Sequence, residues 1–372
     1  MRTVRAAVVG TGFMGAVHSR SIVAAGGELV AVVGSTPAKG RAAAEAFGAR
    51  SGVGTLDEAL AEGVDVVHIC TPNATHAGLA EAAIKAGCSV VCEKPLATDA
   101  ATAAHLTALA ARDGLVAAVP FVYRYYASVR EARARIQAPG ATPPWLLHGS
   151  YLQDWLADPN GTNWRVDAEL GGPSRAFADI GVHWCDLAEY VTGQRIVRLH
   201  AHVGRSAQSR PGPDGTPVPV TTEDGAVVTF TTDTGALGSV VVSQASAGRK
   251  NALSFSFDGP DASYAFQQET PETLWIGGRD TNTTVARDPG RPGSPAPIRS
   301  TLPAGHPQGY YECFADFVAD TYAAVRGEPA DGLPRFADGL RAARITEAVL
   351  ASAGTGDWAD VPTDNTEEEH TA

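Results

Sequence analysis

Near the start of this chain an apolar run, residues 4–9, passes into Gly10-Thr11-Gly12-Phe13-Met14-Gly15 and then into a stretch of helical character. Few features restrict a fold as strongly, because each glycine has its own physical task. Gly10 permits a tight turn, Gly12 lets a pyrophosphate approach the backbone, and Gly15 lets the helix pack close against the strand. The unpaired N–H groups and positive end of that helix then meet the phosphates. Glycine turns also serve purely structural ends, so the weight lies in the strand before and the helix after. The whole turn, Phe13 and Met14 included, is expected to hold a dinucleotide.

The strand–helix unit then repeats along the chain. Residues 29–34 read as a second strand, continuous and β-branched like a parallel strand buried on both faces. Helical segments near 39–47, 56–62, 75–86 and 99–112 then alternate with apolar runs at 64–70, 89–92 and 116–119. This predicts an α/β, doubly wound parallel sheet that binds ligands at the carboxyl ends of its strands. An acid about 20 positions past the glycines would hold the ribose 2′-hydroxyl of NAD. Here Ser35-Thr36-Pro37 stands instead, followed by Lys39 and Arg41. Hydroxyls and cations suit a 2′-phosphate, so NADP is expected over NAD, although both cations also fit the solvated face of a helix.

Two loops at strand ends draw notice, Thr71-Pro72-Asn73-Ala74-Thr75-His76 and Glu93-Lys94-Pro95-Leu96. A turn at Pro72 and a helix start at Thr75 would account for the first without any ligand. In the second, Lys94 directly follows a buried-looking strand, where its cation can position an alcohol or carbonyl oxygen and lower an alcohol's pKa.

Together these motifs resemble the glucose–fructose oxidoreductase / inositol dehydrogenase (Gfo/Idh/MocA) family, and the resemblance extends over nearly the whole chain. It implies a Rossmann domain at residues 1–120 and an α+β domain at 121–362 with an open, largely antiparallel sheet, whose outer face makes a dimer or tetramer. Glu93-Lys94-Pro95 is the most specific mark, with the lysine near the nicotinamide and the alcohol. Thr71, Pro72, Asn73, His76 and Glu93 are then expected around the cofactor. Tyr123 and Arg124 match positions that touch substrate and cofactor, but Val122 stands where related sugar dehydrogenases often carry asparagine. A domain-joining aromatic cluster would explain the same residues.

Further on, residues 146–152 form a strand leading to Gln153, Trp155, Trp164 and Arg165. Aromatic rings with amides, acids and an arginine suit a sugar, whose C–H face stacks while its hydroxyls are held. This stretch resembles the levoglucosan dehydrogenase and glycoside 3-dehydrogenase branch of the family. Gln153, Trp155 and Trp164 are expected at the substrate, and Trp164 and Arg165 also at the cofactor. Asp179, His183 and Asp186 stand at spacings that share one helix face. There the imidazole can take a hydroxyl proton and the carboxylate can hold a diol. A lone helical histidine is more often structural; in this family Asp-x-x-x-His completes the site with the lysine. Arg175 could reach a substrate carboxylate or a neighbouring subunit, and His306 a pocket rim. Residues 204–219 read as a flexible excursion and 288–297 as a proline–glycine loop. The acidic tail, residues 363–372, reads as disordered.

The formal charge of −12 argues against nucleic acid or an anionic membrane as main partner. No apolar run approaches ~18 residues, and the N-terminus enters a strand directly, so neither a membrane span nor a signal peptide is expected. Five cysteines without a metal-ligand pattern read as reduced thiols in a cytoplasmic protein, and no metal site is expected. The functional expectation is hydride transfer between a nicotinamide cofactor and a secondary alcohol of a sugar, glycoside or polyol, with C3 one position. Glycoside cleavage through transient oxidation and elimination stays open, as does a non-catalytic dinucleotide sensor.

Overall fold

The unbroken apolar run before Gly10 becomes β1 (Arg5–Val9), whose last four residues are buried, as expected of a strand covered by helices on both faces. A computed structural model of the chain describes residues 2–161, 163–212, 214–291 and 302–363. The chain divides into two units, Met1–Tyr125 with Gly309–Ala343, and Tyr126–Gln308 with Arg344–Ala372.

In the first unit β1 is followed by α1 (Phe13–Ala24), β2 (Glu28–Val33), α2 (Pro37–Phe47) and β3 (Ser51–Val53). Then come α3 (Leu56–Ala61), β4 (Val66–Ile69), α4 (His76–Lys85), β5 (Ser89–Cys92), α5 (Ala100–Arg112) and β6 (Ala117–Ala118). The strands pair in parallel in the order β3-β2-β1-β4-β5-β6. The order reverses between β1 and β4, which opens a crevice at their carboxyl ends. Local chemistry starts several helices: Thr36 accepts the Lys39 N–H, Asp99 accepts the Thr102 N–H, and Thr55 and Glu58 form a reciprocal capping box. No apolar run announces β3, because Ser51-Gly52-Val53 is short and half-buried.

The second unit opens with α6 (Ala127–Ile136), β7 (Leu146–Leu152) and α7 (Ala168–Gly171). A π-helical turn, Phe177–Gly181, leads into α8 (Val182–Thr192). Strands follow: β8 (Ile196–Gly204), β9 (Ser209–Pro211), β10 (Pro217–Pro219), β11 (Gly225–Thr232), β12 (Leu237–Ser243), β13 (Ala252–Asp258), β14 (Ser263–Gln267), β15 (Thr273–Gly277) and β16 (Asn282–Ala286). Nine strands make one sheet, β16-β15-β14-β13-β7-β12-β11-β8-β17, the last being Ala359–Asp360. All its pairs are antiparallel except β7 with β12. Period-two alternation sends Val228, Phe230, Val240, Val242, Phe255 and Phe257 inward, and α8 packs on that side. Its Trp184 lies edge-on to Phe230 and Phe257 and donates its indole N–H to the Ser254 carbonyl at 2.9 Å.

Two expectations change here. Residues 204–219 hold the short antiparallel hairpin β9–β10 rather than a wholly irregular excursion. The reason is Arg210, whose buried guanidinium donates to the carbonyls of Leu156, Asp158 and Gly161 at 2.7, 2.7 and 3.0 Å. Residues 309–343, expected with the second domain, cluster with the first unit. They contain α9 (Tyr310–Val325) and the start of α10 (Phe336–Thr355). The fully buried Phe314, Phe317 and Tyr322 belong to α9, which packs on α1 and on the 3-10 turn Val122–Tyr125. Most of the 288–297 loop and the acidic tail from Asp364 lie outside the described residues. Among the described residues no helix is long and apolar enough to cross a membrane.

Candidate active site

The glycine turn does what its spacing requires, but its three glycines differ in what they answer to. Gly10 has φ +118°, a conformation L side chains rarely adopt, and a Cβ there would stand 2.5 Å from the Cys70 carbonyl oxygen. A Cβ on Gly15 would lie 2.2 Å from the Gly10 oxygen. Gly12, in contrast, has φ −82° and ψ −166°, and nothing lies within 4 Å of a Cβ built on it. Neither backbone nor packing demands glycine at that position. Gly12 is the N-cap of α1, which begins without a side-chain cap, so its first N–H groups are left for a ligand. A pyrophosphate fits this cradle on both counts. Phe13 is 70% exposed beside it.

At the end of β2, Ser35, Thr36, Lys39 and Arg41 are all exposed. The Thr36 hydroxyl is occupied as the cap of α2, at 3.3 Å from the Lys39 N–H. Beyond β4, Thr71, Pro72 and Asn73 are half-buried, and the Thr75 hydroxyl bonds to Thr71 Oγ1 and the Pro72 carbonyl. His76 is fully buried, with Nδ1 2.8 Å from the Pro95 carbonyl and Nε2 2.8 Å from that of Thr71. Burial lowers its pKa against the opposing pull of those carbonyls and Glu93. Its ring joins the two loops to each other, a structural task that the cofactor expectation did not include. Glu93 likewise turns inward, toward His18 Nε2 at 3.1 Å and the Lys94 N–H at 3.2 Å. Lys94 itself is half-buried at the carboxyl end of β5. Arg124, also expected at the cofactor, is 6% exposed and ion-paired to Asp338 at 2.8 Å. Tyr123 is buried with its ring centroid 6.2 Å from that of Tyr310.

In the second unit Asp179 lies on the π-turn and His183 on the first turn of α8. The expected uninterrupted α-helix is thus corrected: a π-turn, a deformation frequent at functional sites, carries the carboxylate. Gln244 donates to Asp179 Oδ2 at 2.6 Å and Arg165 approaches Oδ1 at 3.6 Å. The Arg165 guanidinium also lies over the Trp164 ring, 4.4 Å from its centroid, so one face of that indole is covered. His183 is buried, with Tyr151 edge-on at 6.3 Å between centroids. The Tyr151 hydroxyl and the Gln153 amide both donate to Asn251 Oδ1, at 2.6 and 2.9 Å, and Trp155 donates to Gln153 Oε1 at 2.8 Å. A hydrogen-bonded ladder therefore runs from Tyr151, whose ring lies against His183, through Asn251 and Gln153 to the exposed Trp155.

Tyr151, Gln244 and Asn251 were not anticipated. Tyr151 had a usable signal, since it stands on the expected strand two positions before Gln153, which lies just past the strand's end. The other two are brought in by pairing across the sheet. Arg175 does not reach the subunit surface: it is buried, bonded to Asp224 and to the carbonyls of Glu223 and Thr222. Burial lowers its pKa while Asp224 opposes that. With Glu223, which accepts the Ser174 hydroxyl and the Arg175 and Phe177 N–H groups, it fixes the entry to the π-turn. His306 is exposed, and its carbonyl accepts from Arg287. No group of three or more metal-binding side chains occurs among the described residues.

Residues 4–121 match the model of an oxidoreductase family with an NAD-binding Rossmann fold, GFO_IDH_MocA, and residues 129–265 match the C-terminal domain model of the same family. The chain is 28% identical to levoglucosan dehydrogenase of Pseudarthrobacter phenanthrenivorans, over 97% of this chain and 99% of that protein. A solved structure of levoglucosan dehydrogenase with NADH and levoglucosan superposes with TM-score 0.90, at 28% identity, covering 97% of this chain and 100% of that one. An oxidoreductase domain protein from Kribbella flavida gives TM-score 0.89 at 32% identity, covering 98% and 100%.

Proposed function

The chain belongs to the Gfo/Idh/MocA oxidoreductase family, and from that premise we propose that it moves hydride between a nicotinamide dinucleotide and a secondary alcohol of a sugar, glycoside or sugar-like polyol. The observation that carries the reading is Gly12, a glycine required by nothing in the protein at the uncapped start of α1. Lys94, a half-buried cation at the carboxyl end of another strand of the same sheet, adds the chemistry.

Gly10 to Gly15 would hold the pyrophosphate, and the loops after β2, β4 and β5 the rest of the cofactor. The dinucleotide, when bound, supplies the hydride acceptor. The Lys94 ammonium would bind the alcohol oxygen and stabilise the negative charge that grows on it. The His183 imidazole would take the hydroxyl proton. Asp179 accepts from Gln244 and ion-pairs with Arg165, and a carboxylate has about four lone-pair sites. It would hold a neighbouring hydroxyl. Gln153, Trp155, Trp164 and Tyr123 complete the proposed sugar contacts, and C3 is the ring position that the resemblance to glycoside 3-dehydrogenases favours.

For the cofactor, exposed Ser35, Thr36, Lys39 and Arg41 favour a 2′-phosphate, so NADP is preferred in this reading; the levoglucosan dehydrogenase structure holds NADH. One assay tests both halves: sugars, inositols and glycosides incubated with NAD or NADP while absorbance of the reduced cofactor is followed. Reduction with at least one sugar-like alcohol, more efficient with NADP, is the expected outcome. A preference for NAD of about tenfold or more overturns the reading of the β2 loop. Sugar release without net reduced cofactor would identify oxidation–elimination instead, and dinucleotide binding without any turnover a sensor.

We also infer that a second copy covers the outer face of the large sheet. Val227 and Val241 pair directly across β11 and β12, about half exposed, with Leu237 two pairs away. Apolar side chains grouped on one sheet face suit an interface. Sedimentation equilibrium should return a dimer or tetramer mass; a monomer at micromolar concentration would sink this inference. The five cysteines, none of them in a disulfide, fit the reducing environment of a cytoplasm.

A further inference from the structure

The first unit encloses a chain of four ionisable side chains, three of which the proposed reaction leaves unused. Glu93 Oε1 lies 3.1 Å from His18 Nε2, His18 Nδ1 lies 2.9 Å from His68 Nδ1, and His68 Nε2 lies 3.0 Å from the Tyr322 hydroxyl. They come from the loop after β5, from α1, from β4 and from α9. His18 and His68 are 0% exposed and Tyr322 1%, and the Phe314 ring packs against His18 at 4.8 Å.

Burial, with His18 beside it, holds His68 well below the usual imidazole range, and burial pushes Tyr322 well above the usual phenol range. Tyr322 therefore keeps its proton, His68 is neutral, and the two rings share one proton between their Nδ1 atoms. Facing a carboxylate, His18 Nε2 carries a proton and donates it to Glu93. Burial raises the Glu93 pKa, but the bond to His18 and the electrostatic pull of His18, Lys94 and His76 more than offset it, so the carboxyl stays below its usual value. Its other oxygen accepts the Lys94 backbone N–H at 3.2 Å.

We propose that His18, His68 and Tyr322 are positioning residues for Lys94, holding Glu93 as an acceptor in one orientation and through it the main chain at Lys94. This rests on the reading that Lys94 acts on the alcohol oxygen. It also gives α9 a reason to return to the first unit, since it delivers Tyr322 to the end of the chain and Phe314 to its flank.

The test compares His18→Leu, His18→Gln, Tyr322→Phe and Lys94→Ala. His18→Leu removes the donor to Glu93, whereas the amide of His18→Gln can replace the Nε2–H. With the alcohol and dinucleotide saturating, His18→Leu should lower kcat by about tenfold or more, with both KM values within about threefold. His18→Gln should recover most of that loss, and Tyr322→Phe should cost least. Hydrogen exchange of the apoprotein gives an activity-free readout: amide protection of the peptide spanning Glu93 and Lys94 should fall about tenfold in His18→Leu and return in His18→Gln. Unchanged protection there, or a kcat that stays at the wild-type value, overturns the proposal. If His18→Leu does not fold, His18→Met, which also lacks a donor to Glu93, decides by the same two readouts. Should Lys94→Ala turn over normally, the functional reading fails, while the exchange result still judges the positioning chain.

Discussion

Alanine in place of Lys94 or of His183 is expected to lower turnover by about 100-fold or more while dinucleotide affinity stays nearly constant. The two groups are assigned to the same proton from different sides of the chemistry. In the proposed reaction Lys94 would stabilise negative charge as it grows on the alcohol oxygen, an interaction stronger in the transition state than in the ground state, so its loss would appear in kcat. His183 would remove the proton that must leave with the hydride, a step worth about 10² to 10⁴ in rate. Neither belongs to the phosphate cradle, which is why fluorescence titration with dinucleotide should hardly change. Steady-state rates on the best alcohol from the panel are the measurement, and wild-type turnover in both variants would remove these residues from the mechanism. A loss confined to KM would instead make them substrate contacts.

The second large effect separates two glycines three positions apart. Gly15→Ala places a methyl group 2.2 Å from the Gly10 carbonyl oxygen, so α1 must shift from the strand. A loss of about 2 kcal/mol is expected, in the range for overpacking, together with a drop in dinucleotide affinity of about tenfold or more. Gly12→Ala meets nothing within 4 Å, and its backbone conformation suits any residue. Its stability cost should stay below about 1 kcal/mol, the usual scale of an N-cap exchange, yet it should bind dinucleotide at least about tenfold more weakly, because the methyl occupies the pyrophosphate's place. Denaturant midpoints and cofactor titrations on the two variants measure the four quantities. Wild-type affinity in Gly12→Ala would contradict the cradle.

Much of the first unit was legible residue by residue. The glycine turn, the continuous apolar strands and the helical segments between them are local features, set by φ/ψ limits and by side-chain patterns over a few positions. The strands from 226 to 258 were legible for the same reason, through their alternation. Short or half-exposed strands such as β3, β14 and β16 carry too little pattern to show. For His76, Glu93 and Arg124, expected near the cofactor, residue type and spacing marked the side chains as polar and special, but not which protein groups they meet. In the folded chain all three have protein partners.

The chain's neighbouring residues were enough to establish a Rossmann turn, a lysine at a strand end and a carboxylate four positions before a histidine, because those patterns depend on backbone geometry alone. Folding decided the partners. His18 meets His68 across 50 positions, Glu93 across 75, and His68 meets Tyr322 across 254. Arg175, whose partner the spacing left open, finds Asp224 across 49 in a buried ion pair. Such contacts are selected by burial: a polar group removed from water must find a complement wherever the fold brings one. That requirement applies in space, and spacing along the chain does not encode it.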